Sequence, residues 1–175
     1  MTTIINLFAG PGAGKSTAAA NLFSNLKQKH YSVELVTEYV KQWAYANKPI
    51  GVYDQLYVQA KQMHRESQLL NKVDFIITDS PVWLCAYYAK HYYPKAIKDA
   101  TIEVARAYDL QLSEDGHTQR NYFLLRPDQK NFSEKGRFHN LEESMKIDTL
   151  LEDLLNEEHR LFSYVDAKTL LLQEF

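Results

Sequence analysis

Residues 4–17 read I-I-N-L-F-A-G-P-G-A-G-K-S-T, with three glycines, a lysine and two hydroxyl residues directly behind an apolar run. From Ala9 to Ser16 the spacing is A-x-x-x-x-G-K-S, the phosphate-loop pattern with alanine in place of its first glycine. The chemistry needs this composition. Successive backbone N–H groups must converge on phosphate oxygens, and only residues without bulky side chains let the chain curl that closely. Gly10, Pro11, Gly12, Ala13 and Gly14 are expected to form the cradle. Lys15 would reach the β and γ phosphates, Ser16 would offer its hydroxyl to Mg²⁺, and Thr17 would meet the α phosphate. ATP and Mg²⁺ are therefore the expected ligands. A glycine-rich turn without function is the plain alternative, and this pattern arises by accident in roughly one chain in a hundred of this length.

Other candidates stand at the ends of apolar runs. Asp79 closes V-D-F-I-I-T, where a carboxylate can meet the loop's magnesium directly or through water. Its alternative role is a helix cap ahead of Pro81. Arg126 and Arg137 lie in the polar stretch 126–140, which has little apolar content to order it without a ligand. A lid is expected there. An arginine closing over a transferring phosphoryl group is worth about 10³ to 10⁵ in rate, and closure excludes water. Solvated loop arginines are the alternative.

Trp43, Trp83, Tyr87, Tyr88, Tyr92 and Tyr93 follow the second and third apolar runs, on the side where acceptors bind in open α/β sheets. Trp43, Trp83 and Tyr87 are candidates for touching an acceptor, against the alternative of core packing. Lys90, His91, Lys95 and Lys98 add charge nearby, either for a phosphate or as a solvated helical face. His91 has no metal-ligand constellation around it, so no zinc site is expected. Cys85 is expected to fill core volume.

These residues need a scaffold. Strands are expected at Ile4–Phe8, Ser32–Thr37, Val73–Thr78 and Asn121–Leu125, with a last one around Ser163–Leu172. Helical spacing falls between them, at Ala19, Leu22, Phe23 and Leu26, and at Val40, Trp43 and Ala44. It recurs at Leu56, Ala60, Met63 and Leu70 behind an expected Asp54 cap, over Trp83–Tyr93 and Ala96–Tyr108, and at Ile147, Leu150, Leu151, Leu154 and Leu155. Alternating strand and helix implies βαβ crossovers and a parallel sheet covered on both faces.

The totals set bounds. A chain of 175 residues fits one compact domain, and its net charge of −2 gives no overall steering toward nucleic acid or an anionic membrane. No apolar run approaches the roughly 18 residues needed to span a bilayer. One cysteine and no leader pattern fit a reducing cytoplasm.

Four stretches in order, FAGPGAGKST, VTEYVKQWA, DFIITDSP and YFLLRPDQKNFSEKGRFHN, give a family resemblance. The chain resembles the P-loop kinases of nucleosides and nucleotides, most closely the kinase domain of NadR-type ribosylnicotinamide kinases and their phage-encoded relatives. That resemblance implies a P-loop NTPase fold: a five-stranded parallel sheet in the order 2-3-1-4-5, helices on both faces and a lid loop. It implies a kinase that moves the γ-phosphoryl group of Mg·ATP to a hydroxyl of a nucleoside, nucleotide or nucleobase-bearing acceptor. By motif position Glu38 matches the glutamate that lies near the acceptor hydroxyl in related deoxynucleoside kinases, and Arg137, with Arg126 beside it, matches the lid arginine. Glu38 and Asp79 both stand as candidate bases, and Glu38 also as an acceptor ligand. One departure is Ser80, where deoxynucleoside kinases commonly carry arginine. The H-x-G-H signature of an adenylyltransferase domain does not occur. Two further readings stand beside this one: a kinase acting on a hydroxymethylated base in phage DNA, which the charge balance disfavours, and a P-loop ATPase switch with no small-molecule acceptor.

Overall fold

The computed structural model describes residues 1–126 and 139–173. Five short strands, β1 (Thr3–Phe8), β2 (Val33–Val36), β3 (Phe75–Thr78), β4 (Thr118–Leu124) and β5 (Ser163–Val165), form one sheet in the order β2-β3-β1-β4-β5. Every pairing is parallel. Central parallel strands read as mostly apolar runs because both faces are covered; in β1 every residue after Thr3 is buried, and the polar Asn6 among them donates to Gln119 Oε1 at 3.0 Å and Asn121 Oδ1 at 2.9 Å.

Alternation along β1 sends its side chains to two layers. Ile5 and Leu7 pack on α1 (Lys15–Gln28) through Ala18, Ala19, Leu22 and Leu26. Phe8 packs on α4 (Val82–Tyr92), α5 (Lys95–Glu114) and α6 (Leu141–Glu157), through residues such as Tyr87, Ile102 and Leu151. Full burial of an aliphatic side chain such as Leu22 or Leu151 stabilises the fold by about 1.5–3 kcal/mol. Because the strands run in parallel, the segments that leave their carboxyl ends gather along one edge of the sheet, where ligands bind in this architecture.

Several local expectations change. The chain after Ser163 is not one strand to Leu172. β5 stops at Val165, and Asp166 caps a short helix, α7 (Ala167–Leu171), by accepting from Lys168 and Thr169 N–H at 2.8 and 2.7 Å. Asp54 does not cap the helix it precedes; it is the first residue of α3 (Asp54–Ser67), and its carboxylate accepts from Gly51 N–H at 2.8 Å. α5 runs six residues past Tyr108, to Glu114. Val40 is buried ahead of α2 (Lys41–Tyr45), whose own residues are at most half-buried.

The largest correction concerns α3. The apolar stripe Leu56, Ala60 and Met63 is not its buried face. Gln55, Val58, Gln59, Gln62 and Glu66 are buried instead. Their amides find partners that make burial tolerable: Gln55 donates to Cys85 O at 3.1 Å, Gln59 to Thr101 O at 2.7 Å and Gln62 to the Thr78 hydroxyl at 3.0 Å.

Candidate functional site

The chain leaves β1 at Ala9 and turns twice through left-handed backbone, at Gly12 (φ 79°) and Gly14 (φ 91°), where a side chain would be strained. Gly14 begins α1 with no side-chain cap, and the first turn carries no acid. Its opening N–H groups and the positive end of its dipole therefore face an anion's position. Lys15 Nζ crosses the loop to donate to Ala9 O at 2.6 Å and Gly10 O at 3.1 Å. Burial lowers the Lys15 pKa, opposed by the negative charges of Glu38, Asp79 and Asp148.

Two residues of α6 that the sequence pattern did not single out hold the loop. Asp148 Oδ1 accepts from Gly10 N–H at 2.5 Å, and the Ser144 hydroxyl donates to Pro11 O. Arg126 joins them. It pairs with Asp148 through Nε and donates from its Nη atoms to Pro11 O at 3.0 Å and Ser144 O at 2.8 Å. A Cβ on Gly10 would run into the Ser144 carbonyl oxygen, so glycine is required there by close approach. The sequence carried a usable signal: Ser144 and Asp148 stand four apart, beside the apolar stripe that starts at Ile147. Arg126 thus braces the loop; Arg137 and most of the expected lid lie outside the described residues.

Asp79 follows β3 and is buried. Its two carboxylate oxygens are both engaged: Oδ2 accepts from the Ser16 hydroxyl at 2.5 Å and Oδ1 from Glu38 N–H at 2.9 Å. A hydroxyl and a carboxylate side by side next to a phosphate cradle are the hard oxygen donors that Mg²⁺ takes together with substrate phosphates. Glu38 enters the site from the end of β2. Among the described residues no hydrogen bond reaches its carboxylate. Burial raises its pKa first of all; Lys15 opposes the rise and Asp79 adds to it.

Lys15, Ser16, Thr17, Glu38 and Asp79 line one cavity of about 520 Å³. From this charged end it continues between Val40, Ile50, Leu84, Tyr88, Tyr92 and Tyr93. His139 borders it as well, its ring stacked on Tyr88 with centroids 6.0 Å apart, and burial lowers its pKa. Cys85 lines the wall beside Val40 and Val58, and burial pushes its thiol up to about 12.

The other aromatic candidates lie elsewhere. Trp83 is buried in the core and donates to Asp109 Oδ2 at 2.6 Å, and Tyr87 is wholly buried beside it. Trp43 is stacked on Tyr57, away from the cavity lining. Of the basic residues on α4 and α5, Lys90 pairs with Glu157 and Lys95 with Asp99. The letters of the guanine-reading N-K-x-D signature do occur, at Asn71 to Asp74, but just ahead of β3 and so at the opposite edge of the sheet from the phosphate loop. There Asp74 accepts from Ser32 N–H at 2.8 Å. This tetrapeptide cannot meet a base in the cavity.

A family model described as an AAA domain matches residues 4–170. Among solved structures, the NadR protein in complex with NR superposes with a TM-score of 0.70 at 16% identity, over 94% of this chain and 43% of that one. Deoxyadenosine kinase from M. mycoides with bound dATP superposes at 0.59 and 20% identity, over 98% of this chain and 96% of that one. The chain thus spans less than half of the NadR protein's length. No curated protein sequence matches it. The chain shares its fold with both solved structures, and its sheet has the order that the family resemblance implied. Among the described residues no helix is long and apolar enough to cross a membrane.

Proposed function

The chain belongs to the AAA domain family, and from that premise we propose that it is an ATP-dependent kinase that transfers the γ-phosphoryl group to a hydroxyl of a nucleoside, nucleotide or related nucleobase-bearing acceptor. One observation carries this reading. Lys15, Ser16, Asp79 and Glu38 converge at one end of a cavity whose other end is apolar and aromatic. An ATPase switch needs the first end alone; a chamber of about 520 Å³ continuing past the phosphate position has room for a second substrate with a flat ring.

In this reading the N–H groups of Gly12 to Ser16 hold the β and γ phosphates, Thr17 meets the α phosphate, and Lys15 leaves the carbonyls of Ala9 and Gly10 to meet the β and γ phosphates. Mg²⁺, when bound, neutralises phosphate charge as the phosphoryl group moves. Ser16 and Asp79 are the side chains that would hold it. Asp79 is committed on both oxygens, which leaves Glu38 as the carboxylate to orient the acceptor hydroxyl and take its proton. Its raised pKa suits a base, because proton affinity in the cavity exceeds that of a solvated glutamate. Arg126 positions the loop through Asp148 and Ser144, and Arg137 is assigned to the closing segment by resemblance. Catalysis rests mainly on alignment and charge neutralisation. Residues 1–175 would act as one P-loop kinase domain.

The test is transfer from γ-labelled ATP to a panel of nucleosides, nicotinamide riboside, nucleoside monophosphates, and plain or hydroxymethylated DNA. The expected result is label on one acceptor class and little ATP turnover without it. Rapid hydrolysis with no acceptor, unchanged by the whole panel, would instead support the switch ATPase.

A further inference from the structure

The wall between the acceptor end of the cavity and solvent is the segment from Tyr39 to Arg65, and the side of it away from the cavity has no part in phosphoryl transfer. Val40, Lys41, Ala44 and Tyr45 line the cavity from it. Away from the cavity, the rings of Trp43 and Tyr57 stack with centroids 6.4 Å apart and an interplanar angle of 12°. Tyr39 meets both rings edge-on, at 6.0 and 5.7 Å. Lys48 Nζ stands 3.7 Å from the Trp43 centroid and Lys61 Nζ 5.5 Å from that of Tyr57. Tyr39 and Trp43 rest on Val40, Val58 and Cys85 from the inner side, and the outer rings are open to solvent. Tyr57 is 45% exposed, and Tyr45 and Tyr92, which belong to the cavity rim as well, are 60% and 56% exposed.

The charge of this segment departs from that of the chain. Between Tyr39 and Arg65 there are Lys41, Lys48, Lys61 and Arg65 against the single acid Asp54, in a chain with a net charge of −2. Among the described residues none of these three lysines forms an ion pair, whereas Lys90, Lys95, Arg106 and Arg160 each have a carboxylate partner. Lys90, Lys95 and Arg106 on α4 and α5 are neutralised; Lys41, Lys48 and Lys61 of the α2–α3 segment are not.

Aromatic area left in water, at about 25 cal/mol per Å², is an unfavourable surface unless something covers it. A protein partner fits poorly here, because lysine is depleted from the centres of protein interfaces. The exposed rings of Tyr45, Tyr57 and Tyr92, interleaved with ammonium groups that have no carboxylate partner among the described residues, suit a string of bases joined by phosphates, with bases on the rings and phosphates at the cations. A duplex hides its base faces, so the strand must be single. We propose that the Tyr39–Arg65 surface binds single-stranded nucleic acid, holding its nucleotides beside the Tyr45 and Tyr92 rim of the cavity. That the strand carries the acceptor rests on the phosphotransferase reading; the binding itself does not.

The test is fluorescence anisotropy with a labelled single strand of about 15 thymidines and a duplex of the same length, without ATP, over a salt series. The expected result is saturable binding of the single strand, at least about tenfold tighter than of the duplex. Lys48→Ala with Lys61→Ala should lower the slope of log affinity against log salt by about 1.4, at about 0.7 for each phosphate of the strand that is no longer neutralised. Trp43→Leu should weaken binding about tenfold, and the double lysine variant, altered only at half-exposed or exposed side chains, guards against a folding defect in it. Absence of binding at low salt, equal affinity for the duplex, or a salt slope unchanged by the lysine variants would each overturn the proposal. Lys15→Ala separates the two readings: it should lose ATP binding and keep the oligonucleotide.

Discussion

At the phosphate end of the cavity the atoms being held are backbone: Gly10 N–H on Asp148, Pro11 O on Ser144 and Arg126, Ala9 O and Gly10 O on Lys15. At the acceptor end the helix behind the wall, α3, is held by its own side chains, with Gln55 and Gln59 reaching carbonyls of Cys85 and Thr101. The two ends also differ in how completely their polar atoms are paired. The loop's partners are satisfied, whereas among the described residues Gln59 Oε1 and Gln62 Oε1 in α3 are buried without a partner. Each such orphan costs about 1–3 kcal/mol. A cradle made of backbone fixes a ligand shape common to all triphosphates, and a wall made of side chains can change with the acceptor.

Glu38 and Lys15 stand where the two ends meet, and substituting them separates the ends most sharply. Glu38→Gln is expected to lower kcat by about 10²–10⁴, the usual worth of a general base, with ATP affinity unchanged. Because burial raises its pKa, the wild-type rate should climb with pH through a value above the ordinary glutamate range, and that acid limb should vanish in the variant. Lys15→Ala should lose both ATP affinity and rate, by about 10²–10³ in the latter. Calorimetry with a non-hydrolysable ATP analogue distinguishes them, and equal ATP affinity in Lys15→Ala and the wild type would remove the phosphate contact assigned to Lys15.

The acceptor end has its own titration. Burial raises Glu66 to about 7, despite hydrogen bonds from Gln62 and Tyr108 that favour its charged form; Asp109 adds to the rise and Arg65 opposes it. The folded chain therefore holds a proton that the unfolded chain releases near 4.5. Stability is fullest below 4.5, falls as pH rises through this window and levels off above about 7, an effect of about 3 kcal/mol. Glu66→Gln keeps the shape and removes the charge. The melting temperature of the variant relative to wild type should rise between pH 5 and pH 8, and a constant difference would show that Glu66 is ionised in the fold.

What the sequence disclosed follows the same division. The loop, β1 and the helix after it were legible because a phosphate cradle depends on local composition and spacing, and a central parallel strand, covered on both faces, reads mostly apolar, with Asn6 the exception in β1. The alternation of elements carried the sheet order through a family resemblance. The wall was misread for a physical reason: its helix buries glutamines whose amides satisfy carbonyls on α4 and α5, so a hydrophobic stripe points to the wrong face. Trp83 and Tyr87 looked like acceptor ligands because of where they follow β3, yet α4 is buried on nearly all sides and both face its core. Asp148 and Ser144 were missed because their partners are more than 130 residues away.

The phosphate end can also be broken at its backbone. Gly10→Ala places a methyl against the Ser144 carbonyl, which belongs to a helix and cannot move alone. Overpacking of this kind costs about 1–3 kcal/mol, read as a lower urea midpoint at constant slope. Unchanged stability would mean that the approach of loop and helix is looser than the hydrogen bond from Gly10 to Asp148 indicates.

The smallest effect tests whether the clamp depends on how its helix begins. Asn140 starts α6 with a capping box: its side chain accepts from Glu143 N–H and the Glu143 carboxylate accepts from Asn140 N–H, both at 2.9 Å. Ser144 ends the first turn and Asp148 lies one turn further on. Asn140→Ala should cost about 1 kcal/mol through the lost cap. If that start also fixes Ser144 against Pro11 O, ATP affinity should weaken by a few-fold, whereas Asp166→Ala, which removes the equivalent cap of α7, should lower stability and leave ATP affinity alone. Equal ATP affinity in the two variants would assign the rigidity of the phosphate end to Arg126 and Asp148 instead of to the first turn of α6.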